Sequence, residues 1–258
     1  MTMSTGGQRK PIIGGNWKSN PATVKAIGEL LDSFNSAGFD AEKVDVVLAA
    51  TALHIPLVKE KLDAKFKVAA QNCSKEKEGA FTGEITCGMI ADCGLEWTLV
   101  GHSERRHKYG ETDADMALKV EKALAAGLNV IMCIGELLEE RQAEKTTDVC
   151  KTQLLAIAPK VSDWSKVVIA YEPVWAIGTG VVATPQQAQD AHKACREILA
   201  SAVSAEVAAS VRIQYGGSVT PDNCAELMSC PDVDGFLVGG ASLKPTFMDI
   251  VKTVEKGV

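Results

Sequence analysis

The chain has 258 residues, 46% hydrophobic and 23% charged, which allows a substantial core in one large barrel or two ordinary domains. A net charge of −6 excludes a general nucleic-acid surface, and no apolar run reaches the ~18 residues of a membrane span. An anionic substrate must therefore be held by local donors, because the overall field repels it. The first ten residues, MTMSTGGQRK, lack an apolar stretch, so a flexible polar tail over 1–10 and no export are expected. The eight cysteines (73, 87, 93, 133, 150, 195, 224, 230) form no C-x-x-C pair and no Cys/His ligand spacing. Reduced thiols, no metal site and a cytoplasmic location are expected.

Eight short apolar runs follow in chain order: Ile12–Gly15, Val44–Ala49, Phe66–Ala70, Trp97–Gly101, Val130–Ile134, Val167–Tyr171, Val211–Tyr215 and Gly235–Val238. They are rich in Val and Ile without polar alternation, as in strands covered on both faces. Helix-period stretches separate them. Thr184-Pro185-Gln186-Gln187 predicts an N-cap, a first-turn proline and a capping glutamine, and Thr220-Pro221 repeats the opening. Thr112 with Asp115 has the same spacing, with a stop at Gly127, while Gly38 and Gly94 end two other helices. Strand-helix alternation without a Pro/Ser-rich linker predicts parallel strands and right-handed crossovers. The fold class expected is α/β, a single (β/α)8 barrel over 11–258. A doubly wound sheet is the rival, but Gly14-Gly15-Asn16-Trp17 is not its glycine fingerprint.

In such a barrel, functional groups lie where the strands end. Asn16 and Lys18 follow the first run, and His102 with Ser103-Glu104-Arg105-Arg106 the fourth. Cys133 and Glu136 come with the fifth, Glu172 with the sixth, Gly216-Gly217-Ser218 with the seventh and Gly239-Gly240 with the eighth. Taken singly, Lys18 reads as a solvated charge, His102 as structural, Glu172 as a salt-bridge partner and the glycines as tight turns. Their convergence on one rim makes an active site the stronger reading. Cys133, inside an apolar run, reads as a small core residue behind that site. His54, His107 and His192 sit in helical or loop contexts and are expected to do no chemistry. Without a basic cluster, phosphate must be bound by backbone N–H groups, and glycine admits the close approach. YGGSV and LVGGASL supply it, with a hydroxyl from Ser218 and an amide from Gly178.

GGNWKSN (14–20), VGHSERR (100–106), AYEPVWAIGTG (170–180), YGGSV (215–219) and GFLVGGASL (235–243), in this order, closely resemble the triosephosphate isomerase family. The resemblance runs from about residue 11 to residue 255. It implies a TIM barrel and a cofactor-free interconversion of dihydroxyacetone phosphate and glyceraldehyde 3-phosphate. By position, Glu172 would be the general base and His102 the carbonyl polariser, while Lys18 and Asn16 would hold substrate and enediolate. The neutral state of that histidine is a known property of the family, and amide donors in SERR disfavour an imidazolium here. Glu104 would contact Lys18, and Gly178, Ser218, Gly239 and Gly240 would form the phosphate site. Pro173, Val174 and Trp175 would be the stiff near hinge of a lid, Ala176, Ile177, Gly178, Thr179 and Gly180 its tip, and Val181-Val182-Ala183 the far hinge. Tyr215 and Ser218 would latch the lid, and Trp175 would contact Glu136. Many members carry Lys where this chain has Val181.

The 71–86 loop, QNCSKEKEGAFTGEIT, is long and polar. Read alone it is a solvated insertion; the resemblance implies a homodimer, with Thr82 packing near the partner's Lys18 and Asn16. Two rivals remain. A Schiff-base aldolase using Lys18 or Lys244 wants a lysine buried within the barrel and would give a borohydride-stable adduct. A non-catalytic binding barrel should have lost a catalytic group, yet Asn16, Lys18, His102 and Glu172 are all present.

Overall fold

This computed structural model describes residues 9–179 and 182–257. Most of the expected polar tail, and lid positions Gly180 and Val181, lie outside the described residues. The eight strands are β1 (Ile12–Asn16), β2 (Asp45–Ala50), β3 (Lys67–Ala70), β4 (Trp97–Val100), β5 (Asn129–Ile134), β6 (Val167–Tyr171), β7 (Arg212–Tyr215) and β8 (Gly235–Val238). They close into a parallel barrel in sequence order, with β1 pairing both β2 and β8. The unbroken apolar runs now have a cause. Ile12, Val47, Ile131, Val168 and Ala170 pack in one cluster inside the barrel, and their neighbours Ile13, Val46, Val130 and Ile169 in another beneath the helices.

The helix signals hold where a side chain caps locally. Thr184 and Gln187 form the capping box of helix Pro185–Ala202, and Thr112 and Asp115 that of Asp113–Ala125. Gly38 caps Val24–Ala37 with a φ of 58°. Thr220-Pro221 opens a turn rather than a helix. Asn223 Oδ1 accepts the Thr220 amide at 2.8 Å, and the helix starts only at Cys224. β1 also runs through Asn16, which pairs with Ala49, so Asn16 is a buried strand residue rather than a loop residue. Because all eight strands are parallel, their carboxyl ends share one rim.

Candidate active site

A cavity of about 510 Å³ opens at that rim, lined by Asn16, Lys18, His102, Glu172 and the turns after β7 and β8. Glu172 follows β6 directly and is 2% exposed. One carboxylate oxygen accepts the Ser103 amide at 3.0 Å; the other lies 3.0 Å from His102 Nε2. On the far side of the ring, His102 Nδ1 accepts the Glu104 amide at 3.2 Å. The imidazole proton is therefore on Nε2, facing the carboxylate. Burial disfavours the imidazolium, but the charge and hydrogen bond of Glu172 outweigh it and hold the His102 pKa above its ordinary value. In this arrangement the pull is opposite to the neutral imidazole expected from SERR, because a partner distant in sequence stands against the ring. Gly216 makes room for the acid: a Cβ there would lie 2.9 Å from Glu172 Cγ.

Lys18 has a φ of 53°, an uncommon conformation for a side-chain-bearing residue. Its amide donates to Asn16 Oδ1 at 3.0 Å and its carbonyl accepts Gln71 Nε2 at 2.7 Å. Nζ reaches Glu104 Oε1 at 2.9 Å. Partial burial raises the Glu104 pKa, but the hydrogen bond and charge of Lys18 bring the net shift below the ordinary carboxylate value. The expected contact between Glu104 and Lys18 is thus present. Gln71 is a site-supporting residue absent from the sequence reading. Its signal was the same as for the others, a polar side chain one residue past the end of β3.

Gly178, Ser218, Gly239 and Gly240 all line the cavity. The single turn Gly240–Leu243 begins at its edge, closed by Ser242, whose hydroxyl donates to Gly239 O at 2.7 Å. The Lys18 side chain crosses toward this turn, its Cε 3.8 Å from where a Gly239 Cβ would stand. Donors thereby converge with two lysines, Lys18 and Lys244, on the cavity wall rather than a dense basic cluster.

Pro173 is buried, and Val174, Trp175 and Ala176 make a single tight turn. Fully buried Glu136 anchors it: its carboxylate accepts Trp175 Nε1 and the Tyr171 hydroxyl, each at 3.0 Å, and its carbonyl accepts the Val174 amide at 3.1 Å. Ile177 and Gly178 then overhang the cavity, and Gly178 and Thr179 are exposed. Tyr215 lies buried below, its hydroxyl tight against Gly217. Burial pushes its phenol up to about 12, against a smaller opposing pull from the Ala183 amide. Cys133 is in the barrel interior, its thiol raised by burial and then by the charge of Glu172.

Thr82 is away from this cavity, exposed on the 71–86 loop. His54, His107 and His192 do not line the cavity either. Among the described residues no helix is long and apolar enough to cross a membrane, and no three side chains cluster as metal ligands. The triosephosphate isomerase family model matches residues 11–254, a span containing all eight strands and every residue of this cavity. On that match and this geometry, the chain belongs to the triosephosphate isomerase family.

Proposed function

We propose that this cavity interconverts dihydroxyacetone phosphate and D-glyceraldehyde 3-phosphate by general-base proton transfer. Supporting this reading is the convergence of Glu172, His102 and Lys18 on one cavity floored by glycine turns. Glu172 moves a proton between carbons one and two, while His102 Nε2–H and Lys18 Nζ donate to the oxygens that gain charge in the enediolate. Asn16, its Oδ1 committed to the Lys18 amide, offers its Nδ2 to the substrate. Backbone amides around Gly178, Ser218, Gly239 and Gly240 hold the phosphate.

In the unliganded geometry the carboxylate is parked on the Ser103 amide and His102. Turning toward substrate removes the larger of the two negative charges that raise His102, so burial and Lys18 favour the neutral imidazole against the lesser pull of Glu104. The lid from Pro173 to Gly180, latched by Tyr215, excludes water while the enediolate exists, which suppresses phosphate loss. Residues 11–258 act as one catalytic domain, and eight free cysteines fit a reducing cytoplasm. Homodimerisation through the 71–86 loop is supported by Leu53, 90% exposed, together with exposed Phe81, Ile85 and Met89. A fully active monomer in sedimentation at micromolar concentration would overturn the dimer.

Glu172→Gln in a coupled triose phosphate assay tests the base. Turnover should fall by about a thousandfold or more while inhibition by phosphoglycolate persists. A variant retaining most of its kcat refutes the assignment.

A further inference from the structure

We propose that Lys244 is the capture cation of this cavity, drawing a phosphate dianion onto the glycine turns and so setting affinity for phosphorylated substrates; this rests on the reading of Gly178, Ser218, Gly239 and Gly240 as phosphate donors. Lys244 lines the cavity together with those four residues. Its backbone is fixed on both sides. The Lys244 amide donates to Ala241 O at 3.2 Å, closing the single turn Gly240–Leu243, and its carbonyl accepts the Phe247 amide at 3.0 Å. Phe247 is fully buried and opens the helix Phe247–Glu255. Lys244 itself is exposed, so its side chain is rooted between the turn after β8 and a packed helix while facing solvent.

The other charges at the cavity are already matched. Lys18 Nζ lies 2.9 Å from Glu104 Oε1, and to an approaching anion these two charges largely cancel. Glu172 faces His102 at 3.0 Å, so that pair is neutral or negative. Lys244 takes no ion pair and no side-chain hydrogen bond among the described residues. It is thus the cavity's uncommitted cation, in a chain whose net charge of −6 repels anions. Backbone amides hold a phosphate at contact, but a dipole reaches less far than a net charge, so arrival needs the ammonium. An exposed rim lysine is also not the buried amine that a Schiff base needs.

The size of the effect follows from Coulomb's law. For a separation on the order of 8 Å in water, a unit charge and a dianion attract enough to change affinity about fivefold. Salt reduces this to about fourfold at ~0.01 M and to below about twofold at ~0.15 M, where the Debye length is ~8 Å. Capture precedes chemistry, so its loss falls on kcat/KM and spares kcat.

The test compares the parent with Lys244→Gln, Lys244→Arg and Lys151→Gln, the last an exposed position on helix Thr146–Ile157 that carries the same change in net charge. Phosphoglycolate binding by calorimetry and kcat/KM for D-glyceraldehyde 3-phosphate are measured at ~0.01 M and ~0.15 M salt. Lys244→Gln should lose about fourfold in both quantities at the lower salt and less than about twofold at the higher, with kcat within about twofold of the parent. Lys244→Arg should recover the parent values, and Lys151→Gln should match them throughout. A Lys244→Gln protein equal to the parent at low salt overturns the proposal. So does an equal loss in Lys151→Gln, which assigns the effect to net charge, or a loss identical at both salts, which assigns it to packing. A parent that binds phosphoglycolate without turning over triose phosphates sinks the isomerase reading alone, and calorimetry then decides Lys244; a parent that binds no phosphoglycolate overturns both.

Discussion

Replacing Gly216 with alanine tests whether packing around Glu172 sets the reaction rate. The added Cβ would lie 2.9 Å from Glu172 Cγ and 3.2 Å from Tyr171 O. Ordinary carbon–carbon contact begins near 3.5 Å, so the acid or the turn must give by about 0.5–1 Å. The Tyr171 carbonyl accepts the Gly216 amide at 2.7 Å, which makes the backbone the stiffer side. The Glu172 side chain yields, and its contacts to Ser103 and His102, both 3.0 Å, stretch past the usual ~3.2 Å limit. A base displaced by about 1 Å loses roughly a hundredfold in rate, or about 3 kcal/mol of barrier. Overpacking should also lower stability by about 1–3 kcal/mol. A coupled assay should show kcat down about a hundredfold with KM changed far less, since the phosphate donors lie on other residues. A kcat within about twofold of the parent, alongside the stability loss, would refute the claim that this packing positions the base.

Glu136→Ala should orphan the Tyr171 hydroxyl and the Trp175 indole N–H, at a cost of about 2–5 kcal/mol in denaturant unfolding. With the lid's near end released, phosphate elimination should rise relative to isomerisation; an unchanged product ratio would show that Glu136 does not anchor the cover. His192 should make the protein acid-sensitive. Burial, with the Arg196 charge, holds it near 4 against an ordinary 6.5, while the Asp232 carbonyl hydrogen bond and carboxylate charge oppose the shift. Between those values the unfolded chain binds a proton that the folded protein refuses. Stability is whole above 6.5 and drains as pH falls toward 4, by about 3 kcal/mol. Unfolding of His192→Gln across this window should lose correspondingly less, and an identical slope would remove His192 as the cause.

The strands were legible because being covered on both faces leaves unbroken Val/Ile runs, and the period-two split between barrel interior and helix layer needs no polar residue. Helix starts were legible where the cap is local, at Thr184 and Thr112. They were not at Thr220: Asn223 Oδ1 accepts its amide as Gln187 and Asp115 do at the other two, but the Asn223 amide donates to the Thr220 carbonyl rather than to its hydroxyl. Local propensity describes both outcomes; only the reciprocal bond to the threonine hydroxyl separates them.

The site divides along the same line. Which residues reach the rim follows from strand ends, and Asn16, Lys18, His102 and Glu172 could be read directly. How they are held could not. The pKa direction of His102 depends on a carboxylate 70 residues away in sequence, and the Lys18 carbonyl is held by Gln71. Each is a pairing between successive barrel units or across the rim, made only when the ring closes. A parallel barrel therefore shows its chemistry in sequence as single polar residues after apolar runs, while their protonation and orientation are properties of the closed rim. Gly216 belongs to the second kind. Its residue type reads as a tight turn, yet the atom it must leave room for is the side chain of the proposed base, one strand over.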